Sequence, residues 1–389
     1  MMITITKTKD LEEFCDYARN FSYITIDTEF LREKTYFAKL CLVQLALPGN
    51  AKSNVVLVDP LTKDELSFEP LLKLFIDKEI IKVFHAGRQD LEIFYNIGNI
   101  IPEPLFDTQI AAMVCGYGEQ VSYEILAKKI LKINIDKTSR FSDWSKRPLT
   151  EAQENYAIAD VTHLRGVYEY LAQKLKSNDR ASWIEQEMDI LKSHKTYDVN
   201  PRDAWKKVKV RNKSPKFLSI VRELAALRDN YARKKNIPRN RVFRDDSLLE
   251  IASSKPKSLK ELLGLRLLNR EALAEPICSE ILEAIDIGIN CEFETMPKIR
   301  LNENKVQKND ALIDLLRVLL KNVSDKNGVS QRLIASSSEL EDISRGVEGL
   351  PSMGGWRYEI FGRIACELCD GKISLGVDGN NIKILTISN

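Results

Sequence analysis

The sequence predicts an α/β domain built on a mixed sheet, followed by two smaller and mostly helical units. Three observations carry this. Up to about residue 175, short β-branched runs alternate with helical patterns. Beyond about residue 200, strand-like runs become rare and helical spacing takes over. Between Arg202 and Arg244, fifteen Lys and Arg stand against three Asp and Glu, a net of about +12 within a chain whose total is +2. At 389 residues there is room for two or three cores.

The elements follow in order. Tyr23-Ile24-Thr25-Ile26-Asp27 reads as a strand and residues 40–47 as a second. Pro48-Gly49-Asn50 breaks the chain before a third strand at 54–59, which Pro60 stops. A short helix is expected over 69–75 with Pro70 in its first turn, then a buried strand over 80–84. After Asp90 a helix follows with Leu91, Phe94 and Tyr95 on its apolar face. Residues 153–175 are helical, and there Tyr156 and Asp160, four apart, share one face. Helices are then expected over 217–234, 246–251, 259–263, 270–287, 310–320, 330–335, 337–344 and 356–369. Met296-Pro297 reads as a linker, and Asp378-Gly379 between two β-branched runs as a hairpin turn.

Composition narrows the class. Hydrophobic content of 44% with 29% charged residues describes a globular protein, and no apolar run approaches membrane-spanning length. The first residues lack a long apolar core with a cleavage site, and the seven scattered cysteines suit reduced thiols; a cytoplasmic location is expected.

The chemistry concentrates in three patches: Ile26-Asp27-Thr28-Glu29, His85-Ala86-Gly87-Arg88-Gln89-Asp90 and Tyr156-Ala157-Ile158-Ala159-Asp160. Asp27 and Glu29, two apart on a strand, leave the same face. Such a pair is costly unless exposed, paired or metal-bound. Four carboxylates brought to one point exceed what Arg88 alone can neutralise. All-oxygen donors of this kind suit Mg²⁺ or Mn²⁺ rather than zinc. The pattern points to phosphodiester chemistry, and beside it the basic stretch reads as a polyanion-binding surface.

These patches resemble the DEDD superfamily of 3′→5′ exonucleases, in its tyrosine-containing branch, and most closely the bacterial ribonuclease D family. Asp27-Thr28-Glu29 meets the first motif, D-x-E; Asp90 meets the second acidic position; Tyr156 and Asp160 meet Y-x-x-x-D. The flanking segments 31–46 and 142–149 are similar too. Residues 217–265 are similar to an HRDC domain, and the section ending in Gly354-Gly355-Trp356-Arg357 to a more divergent copy. The resemblance implies a ribonuclease H-like exonuclease domain over 1–200, with two all-α HRDC-type domains over 210–292 and 300–389.

It also implies a mechanism in which two divalent ions about 3.5–4 Å apart bracket the scissile phosphate. Asp27, Glu29 and Asp160 would hold the first ion, Asp27 and, through water, Asp90 the second, while Tyr156 orients the attacking water. The implied substrate is RNA with a single-stranded 3′ end, tRNA precursors among them, acted on by a monomer. Weaker expectations place Gln44, His85, Lys137, Trp144 and Arg147 in contact with the nucleic acid. Asp107 reads as a helix cap rather than a third metal ligand. A DNA 3′→5′ exonuclease and a catalytically silent RNA-binding scaffold are the alternative readings.

Overall fold

A computed structural model describes residues 3–62, 66–136, 138–267, 275–297 and 309–387. The chain opens with β1 (Ile3–Ile5) and α1 (Thr8–Ala18), then β2 (Tyr23–Leu31), β3 (Lys39–Ala46) and β4 (Val55–Val58). After α2 (Glu69–Phe75) come β5 (Ile81–Phe84), α3 (Arg88–Gly98), β6 (Leu105–Asp107), α4 (Thr108–Val114) and α5 (Tyr123–Leu131). The long α6 (Glu151–Ser177) and α7 (Ala181–Lys192) complete this part.

The sheet has six strands in the order β1-β4-β3-β2-β5-β6. β2, β3 and β4 form an antiparallel meander, and β1, β5 and β6 join it in parallel. It is therefore mixed, as predicted. β3 is central and apolar from Leu40 to Ala46 except for Gln44, because helices cover both faces of the sheet. α6 begins with a capping box, Thr150 to Gln153, and lies across β2 and β3. There the Thr25 hydroxyl donates to the Val161 carbonyl at 2.8 Å, and Arg165 donates to the Leu47 carbonyl at 2.8 Å.

The next part packs α8 (Pro215–Lys235), α9 (Arg239–Val242), α10 (Asp245–Ser254), α11 (Leu259–Leu263) and α12 (Glu275–Ile289) around a core of its own. It docks on the loop after β2. The Asn236 side chain accepts from the backbone N–H groups of Tyr36 and Phe37, both at 3.1 Å, and the Tyr36 hydroxyl bonds to Asp229 at 3.0 Å.

The last part holds α13 (Asp310–Asn327), α14 (Gln331–Ile334), α15 (Ser337–Ile343), α16 (Gly355–Arg357) and α17 (Arg363–Cys369), with a π-helical turn between the last two. A hairpin of β7 (Ile373–Asp378) and β8 (Asn381–Thr386) ends it. This part shares one continuous apolar core with the α/β domain. Trp183 of α7 stacks on Trp356 with ring centroids 4.4 Å apart, and Arg180 donates to the carbonyls of Val114 and Asn327.

Candidate active site

The two acids of β2 owe their position to the end of a neighbouring strand. β2 pairs with β5 only as far as Thr25↔Val83, and β5 ends at Phe84. Beyond that point Asp27 and Glu29 lose their neighbour on one side, and a crevice opens. Their side chains leave the same face of β2, towards α6. A register shift between Glu29 and Phe30 ends the regular ladder just past the pair.

α6 supplies Tyr156 and Asp160. The Tyr123 hydroxyl of α5 donates to the Asp160 carbonyl at 2.7 Å, which fixes this turn against the crevice. Carboxylate oxygens of Asp27, Glu29 and Asp160 lie within 4.8 Å of one another. The Tyr156 hydroxyl hydrogen-bonds to Asp160.

Asp90 arrives differently. It sits inside the first turn of α3, which starts at Arg88 rather than after Asp90, and the hydroxyl of Thr28 donates to its carboxylate. Thr28 faces opposite to Asp27 and Glu29, so Asp90 lines the same cavity without joining the close trio. The turn that delivers it is held by Asp107. That carboxylate accepts from the N–H groups of Ala86 (3.1 Å), Gly87 (2.9 Å) and Gln109 (2.8 Å), where Ala86 has a left-handed φ of 54°. A Cβ on Gly87 would meet Phe84 Cβ at 2.6 Å, so only glycine lets the turn pass β5 so closely. Asp107 thus caps α4 and shapes the turn before Asp90 at once.

These groups line a cavity of about 660 Å³. Burial, then the charge of Asp160, pushes Asp27 up to about 8. Burial, then Asp27, Asp160 and Asp90, pushes Glu29 up to about 10. Burial raises Asp160 to about 7 despite the hydrogen bond from Tyr156. Asp90 is raised well above the carboxylate range by burial and Asp27, and the Tyr156 phenol is raised by burial and the surrounding acids. Burial is the leading cause of each shift, and for Asp27, Glu29 and Asp90 the clustered acids add to it. A trio of oxygens with no nitrogen or sulfur donor fits a hard divalent cation.

Among the described residues, the single cation lining the cavity is Arg140, not Arg88. Arg140 lies 3.7 Å from Glu124, and its charge acts on Glu29 and Asp160. Beside it Phe141 lines the same cavity while 91% exposed. The sequence reading missed both. Their signal is a lone Arg-Phe pair in an otherwise polar loop, with no helical or strand period to place it.

The weaker candidates fare unevenly. His85 is in the cavity wall, its Nδ1 2.9 Å from the Thr108 hydroxyl and its ring against Tyr123. Gln44 is fully buried in β3, paired with Asp27, and is not among the residues that line the cavity. Trp144 is also buried, in an apolar cluster with Leu42, Leu57 and Ala157, where its ring backs that of Tyr156 at 6.1 Å. Arg147 directs all five N–H donors inward, to Asp59 (2.5 and 2.7 Å) and to the carbonyls of Cys41, Trp144 and Lys146, which leaves none for a phosphate. Lys137 lies outside the described residues.

A mixed sheet carrying this carboxylate trio beside a tyrosine fits a metal-dependent phosphodiesterase, and a family model described as a 3′-5′ exonuclease matches residues 2–176. A second, for the HRDC domain, matches residues 217–285. The chain is 48% identical over 384 residues to a ribonuclease D of Jannaschia, covering 99% of each, and 43% identical to one of Bartonella henselae, covering 98% of this chain and 93% of that one. The crystal structure of Escherichia coli RNase D, described as an exoribonuclease involved in structured RNA processing, superposes with a TM-score of 0.81 at 27% identity, covering 95% of this chain and 99% of that one. This chain belongs to the ribonuclease D family.

Proposed function

We propose that the chain is a divalent-metal-dependent 3′→5′ exoribonuclease that trims single-stranded 3′ tails of tRNA precursors and other small structured RNAs. It would work as a monomer and release nucleoside 5′-monophosphates one at a time. The observation that carries this reading is the trio of Asp27, Glu29 and Asp160, which closes to within 4.8 Å beside Tyr156. Asp27, Glu29 and Asp160 would hold one Mg²⁺ or Mn²⁺, and Asp27 with, through water, Asp90 a second. Bound there, the ions would offset charge on the phosphate and its leaving 3′ oxygen and lower the pKa of water.

The protein groups do the rest. Tyr156, raised above its ordinary value, keeps its proton and therefore orients the attacking water rather than acting as a base. Arg140 stands at the cavity as a donor for a non-bridging phosphate oxygen. The Thr28 hydroxyl and the turn held by Asp107 fix Asp90 in the cavity wall, where it would serve the second ion.

Matched 5′-labelled RNA and DNA strands with Mg²⁺ test the proposal. Shortening of RNA from its 3′ end to mononucleotide 5′-phosphates, faster than that of DNA, is the expected outcome. Preference for DNA, or internal cuts, would contradict it. RNA binding without cleavage in either metal would favour a silent scaffold.

A further inference from the structure

A second cleft of about 650 Å³ runs along the seam between α3 and the α8–α9 corner. Its walls carry five cations, Arg32, Arg88, Lys207, Arg233 and Arg239, against two acids, Glu92 and Asp198. Arg32 is paired with Glu92 at 2.5 Å, and Arg233 and Arg239 share the buried Asp229. Arg88 and Lys207 are exposed and have no ion-pair partner among the described residues. One charge of the Arg233–Arg239 pair is also uncompensated. The cleft therefore keeps a net positive charge after its internal pairs are counted, and it holds aromatic faces as well, with the Tyr95 and Tyr197 rings 5.6 Å apart.

The cleft adjoins the carboxylate cavity at two separate places in the chain. On β2 and its loop, Phe30 lines the cavity and Arg32 the cleft. On α3, Gln89 and Asp90 line the cavity and Arg88 the cleft. The lining of the cavity and the cations of the cleft thus stand within two residues of one another on both segments. Cations with interleaved aromatic rings are the chemistry that holds a single strand without reading its sequence.

We infer that this seam binds the phosphates of the RNA strand just upstream of the residue being removed, with Arg88 and Lys207 as its free cations. The inference rests on the exoribonuclease reading above. The α8–α9 corner then forms one wall of the path, and Arg239 and Lys207 complete a lining that Arg88 begins on the side of the α/β domain.

The test combines Arg88→Ser and Lys207→Ser in the full-length protein, with Lys52→Ser as an exposed control outside the cleft. Cleavage is measured on an RNA dinucleotide and on a long unstructured RNA, at several salt concentrations. The double variant should raise KM for the long RNA about tenfold and flatten the dependence of log KM on log salt by about 1.4, or about 0.7 for each lost phosphate contact. Its dinucleotide kcat/KM and thermal midpoint should match wild type. An equal loss on both substrates, or no change on the long RNA, would overturn the inference while leaving the exoribonuclease reading intact. Failure of the wild-type protein to cleave either RNA would instead overturn that reading.

Discussion

Replacing Asp27 with Asn should stabilise the metal-free protein while abolishing its activity. Burial and the charge of Asp160 hold Asp27 at about 8 in the folded chain, against about 3.9 for an ordinary aspartate in an unfolded one. A group whose pKa is higher in the folded state grips its proton more tightly there. Its contribution to stability is complete below about pH 4 and is lost as pH rises through about 8. Realised in full, that difference would be about 5–6 kcal/mol. Asp27 keeps some solvent contact, which screens the charge of Asp160. A release of about 1–3 kcal/mol at pH 8 is therefore expected from the neutral amide. Urea denaturation in EDTA at pH 5 and pH 8 measures it: the variant should exceed wild type at pH 8 by a margin that shrinks at pH 5. With Mg²⁺ at about a thousand times its Kd the order should reverse, since ligand then adds about 4.1 kcal/mol to the form that binds it. A variant less stable than wild type in EDTA at pH 8, or a margin that ignores pH, would refute the reasoning.

Three further substitutions separate roles. Tyr156→Phe keeps the ring against Trp144 but removes the hydroxyl bound to Asp160, so kcat should fall by about 10²–10³ with KM unchanged; steady-state kinetics on RNA decide, and a loss confined to KM would contradict the orienting role. Phe141→Ala removes an almost fully exposed ring at the cavity, where stacking on a base is worth about 1–3 kcal/mol; KM should rise about tenfold with no change in melting temperature, and an unchanged KM would exclude stacking. Arg147→Ala leaves the buried Asp59 carboxylate without its two-pronged partner and should cost about 3–5 kcal/mol in denaturant; wild-type stability would show that the pair bears no weight.

How much of this was legible in the sequence depends on how far each relation reaches along the chain. Asp27 with Glu29, and Tyr156 with Asp160, are placed by strand and helix periodicity within five residues, so their shared faces were readable at once. Asp90 was readable as a motif position, but its contact with Thr28, from the other face of β2, depends on how α3 meets the sheet. Arg147 beside a tryptophan looks the same in sequence whether it faces solvent or Asp59, 88 residues away; only the fold decides. Gln44 lies in a strand that reads as apolar on both faces, and that alone signalled burial. β1 went unread because a three-residue strand carries too little pattern, and its partner β4 lies some fifty residues on. Nor does helical periodicity reveal that α13 to α17 share a core with the α/β domain, whereas α8 to α12 enclose their own.

The most direct test is 3′-end trimming of 5′-labelled RNA by the full-length protein, with Mg²⁺, with excess EDTA, and with Asp27→Ala. A ladder that shortens from the 3′ end in Mg²⁺ alone, and is absent with EDTA and with the substitution, is the result predicted from the carboxylate trio. Trimming that persists in EDTA, or in the Asp27→Ala protein, would contradict it.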